Sequence, residues 1–141
     1  MTQRGERQAR TAGAALALLD PGFAAVLYSP KARARQTAEL AAERWEPARR
    51  ELLREHDPLA AGFDGAQALA VLAEIEADGR LLIVGHEPDL SGVVADLTGG
   101  RIDMKKGGLA VVRLEGVGGE LAVLMRPREL ALIAGVPGDG D

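Results

Sequence analysis

The stretch LLIVGHEPDLSG, Leu81 to Gly92, narrows the possible folds more than any other part of this chain. Four apolar residues, Leu81 to Val84, are too few for a helix but suit a strand buried on both faces, and Gly85 ends the run. Beyond the turn, Leu90, Val93, Val94 and Leu97 recur at helical spacing, with Pro88 in the first turn and Gly99-Gly100 as the stop. A strand feeding directly into a helix is the repeating unit of α/β folds, where ligands sit at the carboxyl ends of the strands. His86 stands at that end, and the chain has only one other histidine, His56.

The same alternation runs through the rest of the sequence. Residues 2–20 predict a helix with Thr2 as N-cap, apolar positions Ala9, Ala12, Leu16 and Leu19, and a stop at Asp20-Pro21-Gly22. Ala24 to Ser29 predicts a buried strand, and Lys31 to Trp45 a second helix with Ala34, Ala38, Ala41 and Trp45 on one face. Arg50 to Leu53 suits a short edge strand, followed by an extended loop. Asp64 caps a third helix reaching Ala77, with Leu69, Leu72 and Ala73 inward, and Asp78-Gly79 ends it. The apolar runs on either side of Gly116-Val117-Gly118 predict a β-hairpin, and Arg128 to Gly135 a short last helix. The expected architecture is an α/β three-layer sandwich. It has a mostly parallel sheet, helices on both faces and a C-terminal antiparallel hairpin, in one domain over residues 1–135 with a flexible tail at 136–141.

Composition removes several classes of function. With 141 residues, 47% hydrophobic and 27% charged, the chain is long enough for one core and too apolar for disorder. There is no cysteine, so neither disulfides nor thiolate chemistry is available. Two histidines thirty positions apart do not make a structural zinc site, and no metal or cofactor is called for. No signal-type segment or membrane-length run is present, so a cytoplasmic location is expected. Charge is uneven: residues 1–56 carry ten Lys/Arg against seven Asp/Glu, and the remainder seven against fourteen. That weak positive excess suits a small anion and not nucleic acid.

Two segments carry residues suited to anion chemistry. In SPKARARQT, Ser29 to Thr37, a strand ends where a helix carrying Arg33 and Arg35 begins. A phosphate there meets backbone N–H groups, the positive helix end and a guanidinium fork. Residues two apart on a helix point in different directions, so at most one of the two arginines enters a shared pocket. Spacing alone favours the reading in which both are solvated surface arginines. In GHEP, Gly85 gives clearance beside His86, whose imidazole can donate to a phosphoryl oxygen or act as acid or base near neutral pH. Spacing alone also allows a histidine that caps the next helix.

Taken together, Thr2 to Ala9 (T-x-x-G-x-x-Q-A), Ser29 to Thr37 (S-P-x-x-R-A-x-Q-T) and Val84 to Ser91 (V-G-H-E-P-x-L-S) follow in the order seen in the histidine phosphatase superfamily. The chain resembles that superfamily, with its phosphoglycerate-mutase-like fold, and within it the small SixA-type phosphohistidine phosphatases, over nearly its whole length. The resemblance implies a metal-independent phosphatase acting on protein phosphohistidine or a small phosphomonoester through a phosphohistidine intermediate. It assigns Arg33 and His86 to the cradle around the phosphoryl group, with Ser29 as a further phosphate contact. Glu55 and Asp57 are the local candidates for the acid that protonates an ester leaving group.

The sequence departs from this pattern at the nucleophile. Family members carry it in an Arg-His-Gly motif on a first strand in the middle of the sheet, and no Arg-His-Gly occurs here. The first central strand is therefore expected to be missing, which exposes ladder groups of its neighbours and part of the apolar core. His56, in the loop after the second helix, is no substitute and is expected at the surface. The chain as it stands is therefore expected to be inactive. A misplaced gene start, a decayed gene and a rearranged fold all fit, and the undamaged remaining motifs favour the first. The alternative in another functional class is a phosphate- or phosphoprotein-binding module without turnover. Substrate identity and oligomeric state are not written in the sequence.

Overall fold

The computed structural model describes every residue except 20–21, 76–78, 116–117 and 138–141. Helix α1 spans Gln3–Leu19, and the Thr2 hydroxyl caps it by accepting the Gly5 N–H at 3.0 Å. Strand β1 (Phe23–Tyr28) leads into α2 (Ala32–Ala41), a single turn α3 (Pro47–Arg50) and strand β2 (Leu53–Glu55). A 3₁₀ turn, Asp57–Ala60, precedes α4 (Gly65–Leu72), β3 (Arg80–Val84) and α5 (Asp89–Thr98). Strands β4 (Leu109–Glu115) and β5 (Gly118–Met125) and helix α6 (Pro127–Ala134) complete the chain. The expected stops at Asp20-Pro21 and Asp78, the turn residues Gly116-Val117 and most of the tail lie outside the described residues.

The strands form two sheets. In the first, β1 lies between β2 and β3 and is parallel to both, with Val26 opposite Leu53 and Leu82. In the second, β4 and β5 pair antiparallel from Leu109↔Met125 to Glu115↔Gly118. Both sheets send alternate residues into the same two apolar clusters. Leu27, Ile83, Val112 and Leu114 pack with Phe63, Val93 and Leu97 on the α4–α5 side. Val26, Leu82 and Leu109 pack with Leu16, Ala42 and Trp45 on the α1–α2 side. The two sheets are thus parts of one layer between helices, the three-layer α/β arrangement expected. Among the described residues β3 pairs only with β1, and β4 only with β5, so a seam divides the layer.

That seam corrects one reading of the sequence. Leu81 to Val84 are half-buried and not fully enclosed, because pairing on one side alone leaves the other edge of β3 uncovered. Three smaller differences have local causes. Helix α2 stops at Ala41, and the turn after it carries buried Trp45 back so that its Nε1–H donates to the Gly13 carbonyl at 2.9 Å. Helix α4 stops at Leu72, leaving Ala73 exposed at its C-cap and Gly65 and Ala68 as its buried residues. Strand β2 is shifted onto Leu53–Glu55, where the charged side chains of Arg54 and Glu55 reach solvent from an edge position.

Candidate functional site

The carboxyl ends of β1 and β3 meet through a backbone bond, with the Ser29 N–H donating to the Val84 carbonyl at 3.1 Å. This places the residues that follow each strand side by side. Ser29 is fully buried, and its Oγ lies 2.8 Å from Nε2 of His86, fifty-seven positions later. The same oxygen accepts the Lys31 N–H at 3.2 Å, which fixes the turn from β1 into α2. His86 is half-buried, and its carbonyl accepts the Leu90 N–H at 3.0 Å as the chain turns into α5.

Arg33 lies in the first turn of α2, next to buried Ala34, so the packing of that alanine turns the guanidinium outward. Burial holds the His86 pKa below its ordinary value, and the positive charge of Lys31 adds to this. The negative charge of Asp89 opposes the shift, while Arg33 contributes in the same direction as Lys31. His86 therefore stands in a field of two cations and one anion, and Arg33, not Arg35, is the arginine close enough to be felt there. Neither Lys31 nor Arg33 has an ion-pair partner among the described residues. By contrast Arg10 is 3.0 Å from Glu43, and Arg126 and Arg128 lie 2.9 and 3.1 Å from Glu129. Two cations without an ion-pair partner among the described residues and an imidazole of lowered pKa thus gather where the parallel strands end.

Other residues singled out from the sequence lie around this centre. Glu55 ends β2 and Asp57 opens the 3₁₀ turn; both side chains are exposed, and no hydrogen bond or ion pair joins either to Ser29, Arg33 or His86 among the described residues. His56, between them, is half-buried and not simply at the surface. Its N–H donates to the Tyr28 carbonyl at 2.9 Å, and its ring stands edge-on to Phe63 at 6.0 Å. Gly85 is not needed for clearance: a Cβ there meets Leu90 and Leu59 at 3.4 and 3.6 Å, ordinary contact distances.

Sequence reasoning missed Lys31 and Asp89. Asp89 has a structural task as well, accepting the Gly62 N–H at 2.9 Å and so tying the loop before α4 to the start of α5. Glu87 plays a similar part, accepting the Ser91 N–H at 3.0 Å while the Ser91 hydroxyl accepts the Met104 N–H at 3.3 Å. The signal for Asp89 was its place in the first turn of a helix, where an acid complements the dipole. Nothing local marked Lys31.

An α/β layer with a cationic cluster at its strand ends defines a class of phosphate-handling proteins. Comparison with known proteins places the chain within that class. Residues 1–60 match the histidine phosphatase superfamily, branch 1. An uncharacterised protein of Picosynechococcus sp. is 34% identical over 124 residues, covering 80% of this chain and 70% of that protein. The solved protein histidine phosphatase SixA, complexed with tungstate, superposes with a TM-score of 0.78 at 23% identity, covering 92% of this chain and 85% of that one. A structure from Nakamurella multipartita assigned as a phosphohistidine phosphatase SixA gives 0.73 at 25% identity, covering 90% and 84%. One from Escherichia coli assigned as an α-ribazole-5′-P phosphatase gives 0.71 at 20%, again covering 90% and 84%. The chain belongs to the histidine phosphatase superfamily. No helix among the described residues is long and apolar enough to cross a membrane.

Proposed function

We propose that this chain supplies the phosphate-binding part of a metal-independent phosphatase acting on protein phosphohistidine or a small phosphomonoester. The observation that carries this reading is the Ser29–His86 contact, which joins the ends of β1 and β3 where Lys31 and Arg33 follow, two cations without an ion-pair partner among the described residues. Arg33 provides a planar two-pronged donor for two phosphoryl oxygens, His86 a third donor, and Lys31 a point charge. Donors fixed in advance oppose the charge that builds on the equatorial oxygens during phosphoryl transfer, so the site needs no metal for that purpose.

Turnover needs a nucleophile that these residues do not provide. A histidine on a strand lying in the seam between β3 and β4, parallel to β3, would bring its carboxyl end beside His86. Its imidazole nitrogen would attack phosphorus as the bond to the leaving group breaks, a P–N bond in phosphohistidine or a P–O bond in an ester. Water would then cleave the new P–N bond and release inorganic phosphate. An ester leaving group would also need a proton, for which Glu55 and Asp57, at the end of β2, are the nearest candidates by position.

The test has two arms. Inorganic phosphate is titrated into this chain by calorimetry. Hydrolysis of phosphohistidine and of p-nitrophenyl phosphate is then measured for this chain and for one extended through the upstream reading frame. Saturable binding here, with turnover only in the extended chain, is the expected result. Binding with no turnover in either favours a phosphoprotein-binding module. No binding and no turnover would remove the proposal.

A further inference from the structure

We propose that Ser29 is a positioning residue: its hydroxyl donates to Nε2 of His86 and fixes the neutral imidazole in the form protonated at Nδ1. A serine hydroxyl has one proton and two lone pairs. One lone pair of Ser29 is taken by the Lys31 N–H at 3.2 Å, and the oxygen lies 2.8 Å from Nε2. If Nε2 carried the proton, both lone pairs would be occupied and the hydroxyl proton would need another acceptor. The side chain is fully buried, and among the described residues no other acceptor is bonded to it. A buried donor without a partner is disfavoured, so the proton lies between oxygen and the Nε2 lone pair, and the ring proton lies on Nδ1.

The surroundings act in the same direction. Burial, Lys31 and Arg33 all disfavour the imidazolium, with Asp89 alone opposing them, and it is the neutral ring that accepts a hydrogen bond from a hydroxyl. The consequence is a division of labour. Nε2 is engaged with Ser29, so His86 is poorly placed to attack phosphorus through that atom, whereas Nδ1–H has no partner among the described residues and is available to an anion. That last use rests on the phosphate-binding reading above; the tautomer does not. Ser29 then acts on phosphate through His86, in place of the direct contact expected from the sequence.

Long-range ¹H–¹⁵N correlation on the ¹⁵N-labelled chain, above the His86 titration, tests this directly, with the His86→Gln chain separating its signals from those of His56. The expected pattern is a protonated Nδ1 and an unprotonated, hydrogen-bonded Nε2. A protonated Nε2 in the unaltered chain would overturn the proposal with no variant needed. In Ser29→Ala the ring should shift toward the Nε2–H form that free imidazole side chains prefer, and an unchanged Nδ1–H pattern there would also overturn it. Inorganic phosphate is then added. A downfield shift of the Nδ1 proton supports both readings. An Nδ1–H ring that phosphate leaves unmoved keeps the tautomer proposal and counts against phosphate binding.

Discussion

The α1–α2 contact and the β3–β4 seam lie in the same molecule and differ sharply in how closely they are packed. At the first, Gly13 brings two helix backbones so near that a Cβ on it would overlap the Ala41 carbonyl, and the Gly13 carbonyl is itself held by buried Trp45. At the second, two strands share apolar clusters yet form no ladder, and Leu81 to Val84 remain half-buried. The lesson is that rigidity and openness are assigned to different places. The locked contact holds α2, and with it the turn that presents Lys31 and Arg33. The seam leaves one edge of β3 without a ladder partner among the described residues.

The sharpest way to break this contrast is Gly13→Ala. The added methyl meets backbone and not a flexible side-chain tip, so the helices must separate along their length. A loss of about 3 kcal/mol or more is expected, read as a lower thermal or urea midpoint. An alanine tolerated within about 0.5 kcal/mol would show that the two helices are not locked at this point.

A smaller effect is expected from Trp45→Phe, which keeps most of the aromatic packing against Phe23, 6.0 Å away, but removes the Nε1–H. The Gly13 carbonyl, which lies inside α1, then loses this second donor, at a cost of about 0.5–1.5 kcal/mol. Urea unfolding should show a lower midpoint at an unchanged slope, since the surface exposed on unfolding is nearly the same. Phosphate affinity should not move if the lock acts on stability alone; a joint loss would mean that it also sets the angle of α2.

These cases mark what could be seen in the sequence. The caps Thr2 and Asp64 act over three residues, and the buried phase of Val93, Val94 and Leu97 is a property of one helix, so both were legible. So was the place of His86 after an apolar strand, because a strand–turn–helix pattern is local. The half-burial of β3 was not legible in its own residues, since it depends on which strands are neighbours; only the missing central strand pointed to an exposed ladder. Trp45 looked like a helix position because its spacing from Ala38 is seven, yet its bond to a carbonyl thirty-two residues earlier takes it out of the helix. Lys31 and Asp89 act on His86 through space, and no spacing rule reveals a field.

Within the site the contrast is between paired and unpaired cations. Arg33→Ala should lower affinity for inorganic sulfate about tenfold, with no change in melting temperature, because the side chain is exposed and holds no partner among the described residues. Arg35→Ala, one position past the buried Ala34, serves as the control and should change neither. A loss of stability in Arg33→Ala would place that side chain in the structural network instead.

The smallest effect, and the one most specific to the site, is in the pH dependence. His86 titrates below its ordinary value of 6.5 in the folded chain, so just below that pH the unfolded state holds more protons than the folded one. Stability from this group is therefore complete above about 6.5 and declines as the pH falls through the lower, folded pKa. An anion bound beside the ring reverses the preference, because it favours the imidazolium. Sulfate, which does not titrate in this range, should accordingly bind more tightly as the pH falls from 7 to 5, and His86→Gln should abolish most of that slope while leaving His56 in place. A slope that survives the substitution would mean that another group responds to the anion, and that the imidazole after β3 is not part of the clamp.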